Sequence, residues 1–178
     1  MKIGLDIDGV LCNFVQGVLD VARQRGLPDF PESWLDVDRW LICEGFHAIM
    51  VEVGGTAEFW LKLKPLPYAL PLDFTPDCYI TARPIESWVT QQWLDIWRFP
   101  KADLITVANP DDKLIHIKER SLDLFVDDHF KTIPHLRANG VNAVLYEAPY
   151  QRGHDITGLP TIKHLREIYE HRNTAANI

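Results

Sequence analysis

The chain is poor in cysteine and in positive charge, and it contains no long apolar run. Its three cysteines, Cys12, Cys43 and Cys78, are odd in number and lack metal-ligand spacing. That argues against a disulfide framework and for a reducing compartment. With Lys+Arg at 18 and Asp+Glu at 25, the net charge is -7. A basic face for duplex nucleic acid is not expected, although a local cationic pocket for one phosphate is compatible with that balance. No apolar segment approaches the ~20 residues that a membrane-spanning helix needs. Asp6 and Asp8 also break the N-terminal apolar run, so a secretion signal is not expected there. These absences point to a cytoplasmic protein with neither duplex nucleic acid nor membrane as partner. Repeats and low-complexity segments are missing too, and only residues 173–178 read as a frayed tail. What remains is ordinary for a globular chain: 178 residues, 47% apolar and 24% charged. That suits one compact α/β domain with a small insertion.

Strand and helix patterns alternate along most of the chain. Lys2 to Leu5 read as a buried strand that runs into Asp6-Ile7-Asp8-Gly9. Asn13 is placed to cap a helix carrying Phe14, Val15, Val18, Leu19 and Ala22 at helical spacing, stopped by Gly26-Leu27-Pro28. Further on, strands are expected at Cys78–Thr81, Leu104–Val107, Leu122–Val126 and Ala143–Tyr146. Helices are expected at Glu86–Trp97, Asp111–Lys118, Thr132–Ala138 and Ile162–His171. The pattern predicts a Rossmann-like, mostly parallel sheet flanked by helices, with the core domain formed by residues 1–14 and 73–172. Residues 15–72 are expected to form a small helical cap, with short helices around Glu32–Cys43 and Ala57–Leu63. Of the six tryptophans, Trp34, Trp60, Trp88, Trp93 and Trp97 are assigned to packing.

In an open parallel sheet, ligands bind beyond the carboxyl ends of the strands. Those positions carry Asp6 and Asp8, then Thr81, Ala82 and Arg83, then Asp127 and Asp128, with Lys113 in the first turn of its helix. Acids of this kind can hold Mg2+ through oxygen. Thr81 can donate to a phosphate oxygen, Lys113 can offset phosphate charge, and a carboxylate can attack phosphorus. Each member alone has a plainer reading. Asp8-Gly9 can be a turn, Asp127-Asp128 a helix cap, and Arg83 a solvated charge. Lys113 is the more pointed residue, because a cation in a first helical turn opposes the helix dipole unless an anion faces it. After the last strand, Pro149 to Gly153 read as a rim loop in which Arg152 could meet an anion. Receiver domains use similar residues, but not in the order Asp-x-Asp, Thr, Lys, Asp-Asp.

Asp6-Ile7-Asp8-Gly9-Val10, Thr81, Lys113 and Val126-Asp127-Asp128 resemble, in order, the four motifs of the haloacid dehalogenase-like (HAD) hydrolase superfamily. The resemblance implies Asp6 as nucleophile, Asp8 as acid and base, and Thr81 with Lys113 on the phosphoryl group. It also implies Mg2+ held by Asp6, Asp8, Asp127 and Asp128, with Asp128 the direct ligand of the last pair. The run Asp6 to Phe14 and the segment Phe59 to Ala69 are similar to the 5'(3')-deoxyribonucleotidases, with Asn13 and Thr81-Ala82-Arg83-Pro84 as departures. That likeness implies a nucleotide as the small-molecule phosphate ester, with Phe14 and Trp40 toward the base. Ala82 and Arg83 join Thr81 and Lys113 on the substrate side. Phe14 fits packing equally well. The alternatives are a phosphatase of sugar phosphates or other small esters, and a non-catalytic domain that binds a phosphate ligand or a partner.

Overall fold

The computed structural model describes residues 1–40 and 43–168. Six strands form one parallel sheet: β1 (Ile3–Leu5), β2 (Cys78–Thr81), β3 (Asp103–Thr106), β4 (Leu124–Asp127), β5 (Ala143–Tyr146) and β6 (Thr161–Ile162). Their spatial order is β3-β2-β1-β4-β5-β6. The strand order therefore reverses beside β1, and the crevice for ligands opens between the ends of β1 and β4. Leu5 is in register with Val126 and with Tyr79, which brings Asp6 level with the end of β4 and close to the end of β2.

Side chains alternate between two covered faces, as the period of a strand requires. Cys78, Ile80, Phe125, Ala143 and Leu145 pack with Ile117, Ile133 and Leu136 of α5 (Lys113–Glu119) and α6 (Thr132–Ala138). Leu5, Tyr79, Val126 and Val144 join the opposite core, with Val18 of α1 (Phe14–Gln24) and Trp93 of α4 (Ser87–Ile96). Asn13 does cap α1, its Oδ1 accepting from the Gln16 N–H at 3.2 Å.

Between β1 and β2 lie α1, α2 (Glu44–Gly54) and α3 (Ala57–Lys62). The expected helix over Glu32–Cys43 is absent from its described part. Only Trp34–Asp36 winds, as a 3-10 turn, and part of the expectation falls on residues 41–42, outside the described ones. Backbone partners explain the departure: the Asp38 carbonyl accepts from the Gly153 N–H at 2.7 Å, a pairing that a continuous helix would forbid. The helix forms later instead, because Phe46, Ile49 and Val53 share one buried stripe. In α4 the buried face is Val89, Thr90, Trp93 and Leu94, so Ile96 and Trp88 turn outward. Trp88 is 58% exposed, which corrects its assignment to packing.

The expected last helix is also revised. Ile162 ends β6, residues 165–168 wind as a 3-10 turn, and the rest of that helix and the frayed tail lie outside the described residues. No helix among the described residues is long and apolar enough to cross a membrane.

Candidate active site

Asp6 leaves β1 with its N–H bonded to the Val126 carbonyl at 2.9 Å, so the neighbouring strand fixes its place. The chain then turns tightly: the N–H groups of Leu11 and Cys12 both donate to the Ile7 carbonyl at 2.8 Å. Gly9 makes this turn possible. Its φ is +76°, and a Cβ there would strike the Asp128 carboxylate and the Tyr150 hydroxyl. The same turn aims Asp8 toward the end of β2 and opens α1.

Lys113 stands at the start of α5, delivered by a 3-10 turn at Pro110–Asp112 that Asn109 and Asp112 cap. Its Nζ lies 2.8 Å from Asp6 Oδ2 and 2.7 Å from Asp127 Oδ2. All three side chains are buried. The other Asp127 oxygen accepts the His129 N–H at 2.8 Å, and the His129 ring is joined to Thr132 at 2.9 Å. One oxygen from each of Asp6, Asp127 and Asp128 lies within 4.8 Å of the others. The sequence positions expected to converge here do so, with Thr81 and Ala82 on the same cavity wall.

The electrostatics of this corner are unbalanced. Burial pushes the Asp6 carboxyl up to about 7, against the pull of Lys113 and with a further push from Asp127. Burial likewise holds Asp128 well above the carboxylate range, and the charges of Asp127 and Asp6 add to that. For Lys113, burial pulls downward, but the combined attraction of Asp127 and Asp6 outweighs it and keeps the ammonium charged. Three buried carboxylates thus face one ammonium. A divalent ion fits that donor set, since hard cations take carboxylate oxygen and would supply the missing positive charge.

Arg83 sits differently from a substrate contact on an open wall. Its Nε is 2.9 Å from Asp8 Oδ2 and its Nη2 is 2.7 Å from Asp8 Oδ1. The guanidinium carbon lies 4.7 Å from the Trp60 ring centroid and 5.1 Å from that of Trp93. Stacking on rings and bidentate pairing are uses that suit Arg and not Lys. Asp8 is therefore gripped from behind.

Above the acids is a cavity of about 200 Å³. It is lined by the residues just described together with Phe14, Trp40, Met50 and Trp60. Phe14 stacks on Trp60 at 5.4 Å and on Trp40 at 6.2 Å between centroids, so it packs and faces the cavity at once. Larger grooves, of about 580, 680 and 440 Å³, lie elsewhere and hold no part of the strand-end acid cluster. Chemistry, and not size, singles out the small cavity.

Sequence reasoning missed Tyr150 and Gln151, which lie just past β5. The Tyr150 hydroxyl donates to Asp128 Oδ2, and the Gln151 amide donates to the Asp128 carbonyl. The strand-end rule that locates the acids beyond β1 and β4 applies equally to β5 and reaches both residues. Arg152, a candidate for an anion, instead donates to the Leu35 carbonyl at 3.1 Å.

This parallel six-stranded sheet flanked by helices matches the HAD-like, Rossmann-like fold of solved structures. No protein-family model matches the sequence, and no curated protein matches it. Among solved structures, a HAD-superfamily hydrolase of subfamily IA, variant 1, from Geobacter sulfurreducens is 17% identical with a TM-score of 0.56, covering 96% of this chain and 95% of that one. The HAD hydrolase YfnB from Bacillus subtilis, solved bound to magnesium, is 14% identical with a TM-score of 0.59, covering 97% and 98%. CbbY from Rhodobacter sphaeroides, solved with phosphate, is 12% identical with a TM-score of 0.57, covering 94% and 95%. At such identities the likeness is one of fold.

Proposed function

We propose that the protein is a divalent-metal-dependent phosphoric monoester hydrolase that acts on deoxynucleoside monophosphates through a phosphoaspartate on Asp6. The observation that carries the reading is the Lys113 ammonium held at 2.8 Å from Asp6 and 2.7 Å from Asp127, beside the buried Asp128. Asp6, Asp127, Asp128 and the backbone carbonyl of Asp8 would hold the ion, with Mg2+ the expected metal. When bound, it offsets the charge of the approaching phosphate and of the nucleophile. Asp6 attacks phosphorus, the ester P–O bond breaks, and the leaving oxygen takes a proton from Asp8. A water then gives its proton to Asp8 and attacks phosphorus, the Asp6–phosphorus bond breaks, and inorganic phosphate leaves. Thr81 and Lys113 hold phosphoryl oxygens through both steps, and Arg83 keeps the Asp8 carboxylate aimed. Residues 15–72 act as a cap over the cavity, and the three free cysteines suit a cytoplasmic setting.

The aromatic part of the cavity lining favours a nucleotide over a sugar phosphate. Half-buried Trp40 and Met50, backed by the buried rings of Phe14 and Trp60, line the cavity with aromatic and thioether surface that offers few partners for hydroxyl groups. With Mg2+ present, deoxynucleoside monophosphates and an aryl phosphate should release phosphate with kcat/KM at least ~10-fold above that of hexose phosphates. Chelation should stop release from all of them. Equal rates across the panel would remove the nucleotide assignment. Ligand-induced stabilisation without phosphate release would instead support a binding domain.

Asp6 holds its proton more tightly folded than unfolded, so its contribution to stability falls as pH rises from the ordinary value of 3.8 through about 7. A divalent ion competes with that proton and relieves the repulsion. Added Mg2+ should therefore raise the melting temperature more at pH ~8 than at pH ~5. Differential scanning calorimetry at both pH values checks this, and an equal shift at both would contradict it.

A further inference from the structure

We propose that Tyr150 is the positioning residue of the metal carboxylate Asp128, and that through Trp40 it joins the metal corner to the aromatic wall of the cavity. The inference rests on the metal-binding reading of that corner. Tyr150 is only 5% exposed, and its hydroxyl donates to Asp128 Oδ2. A phenol held on one carboxylate oxygen fixes the side chain's rotation and leaves the other oxygen to face a cation. Outer-shell partners of this kind set both the direction and the basicity of a ligand.

The phenol is itself firmly supported. It rides on the 3-10 turn Pro149–Gln151, which begins beyond the end of β5. Gln151 anchors that turn: its amide donates to the carbonyls of Asp128 and Tyr146, while its Oε1 accepts the Ala148 N–H at 2.9 Å. Adjacent residues therefore hold Asp128 twice, one by its carboxylate and one by its backbone. Across the contact, Gly9 comes so close that any side chain would strike both the phenol and the carboxylate. Separate parts of the chain thus meet on one hydrogen bond.

On its outer side Tyr150 meets Trp40 edge to face, with centroids 5.3 Å apart and planes at 72°. Trp40 in turn stacks on Phe14 at 6.2 Å. Contact therefore runs without a gap from the aromatic wall through Trp40 and Tyr150 to Asp128. Tyr150→Phe keeps the ring, its packing and every charge, and removes only the donor.

Isothermal titration with Mg2+ alone, without any ester, should give a dissociation constant about 10- to 100-fold weaker for Tyr150→Phe than for wild type. In wild type, Mg2+ should also perturb the near-ultraviolet absorption of tyrosine, and this difference signal should vanish in the variant. An affinity within about twofold of wild type, in a variant that melts like wild type, overturns the proposal. Should the variant not fold, wild type decides alone: a flat tyrosine difference spectrum at saturating Mg2+ overturns it. If no form cleaves any ester but the variant still binds Mg2+ more weakly, the inference stands and the hydrolase reading falls. If wild type binds no Mg2+, the inference falls, whatever the protein hydrolyses.

Discussion

Asp6→Asn should release phosphate at least about 10⁴-fold more slowly than wild type, because an amide cannot form the bond to phosphorus on which both half-reactions depend. The fold should survive the change. Asn matches Asp in shape, and Lys113 keeps its contact with Asp127 at 2.7 Å. Burial pushes the Asp6 carboxyl up to about 7, so its ionised form weakens the metal-free protein at higher pH. The neutral variant should therefore melt no lower than wild type at pH ~8, and Mg2+ should stabilise it less. A lost reaction with retained or improved stability separates a chemical role from a structural one. Phosphate release and thermal melting on the same preparations check both halves. Near-wild-type release from the variant would sink the assignment.

Lys113→Met should be costly in the opposite way, with stability and activity falling together. The apolar chain has a similar length but leaves Asp6, Asp127 and Asp128 buried without their ammonium. Removing one partner from a buried pair typically costs about 3–5 kcal/mol, because the remaining charge has no counterpart. Turnover should fall by about 10²- to 10³-fold, the loss usual for a group that stabilises charge in the transition state. The sign of the pH effect comes from the same groups. Asp6 and Asp128 both hold their protons above the ordinary range, so acidification neutralises them and the deficit should shrink toward pH ~5. Urea unfolding at both pH values, with and without Mg2+, reads this directly. Wild-type stability of the variant at pH ~8 would mean that the ammonium does not balance those acids.

The acidic rim was legible because it obeys a rule of topology. In a parallel sheet whose order reverses beside β1, the residues at and just past the strand ends must meet at one edge. Asp6, Thr81 and Asp127 could therefore be placed together before their distances were known. Lys113 was legible for another reason: its charge opposes the helix dipole and calls for an anion. The insert was less readable. A helix is expected over Glu32–Cys43, yet α2 starts only at Glu44, where Phe46, Ile49 and Val53 bury together. The segment around Asp38 looked helical but gives its carbonyl to Gly153, more than a hundred residues away in the chain.

Arg83 marks the limit most clearly. Its charge beside Pro84 carries no sign of burial, since the rings that enclose it, Trp60 and Trp93, come from the insert and from α4. Whether it faces solvent, substrate or Asp8 is decided by tertiary packing alone. Tyr150 differs, because its position beyond β5 lies within reach of the strand-end rule. A neutral phenol simply carries a weaker signal of function in a sequence than the charge of Arg152 nearby.

The central claim is that Asp6 carries the phosphoryl group between ester and water. The most direct measurement is an acid quench of wild-type protein turning over an accepted monoester with Mg2+, followed by mass analysis of its peptides. The account predicts one added phosphoryl group on the peptide that contains Asp6, and none on the same peptide from Asp6→Asn. A phosphoryl group found on another residue, with Asp6→Asn still hydrolysing the ester at the wild-type rate, would contradict it.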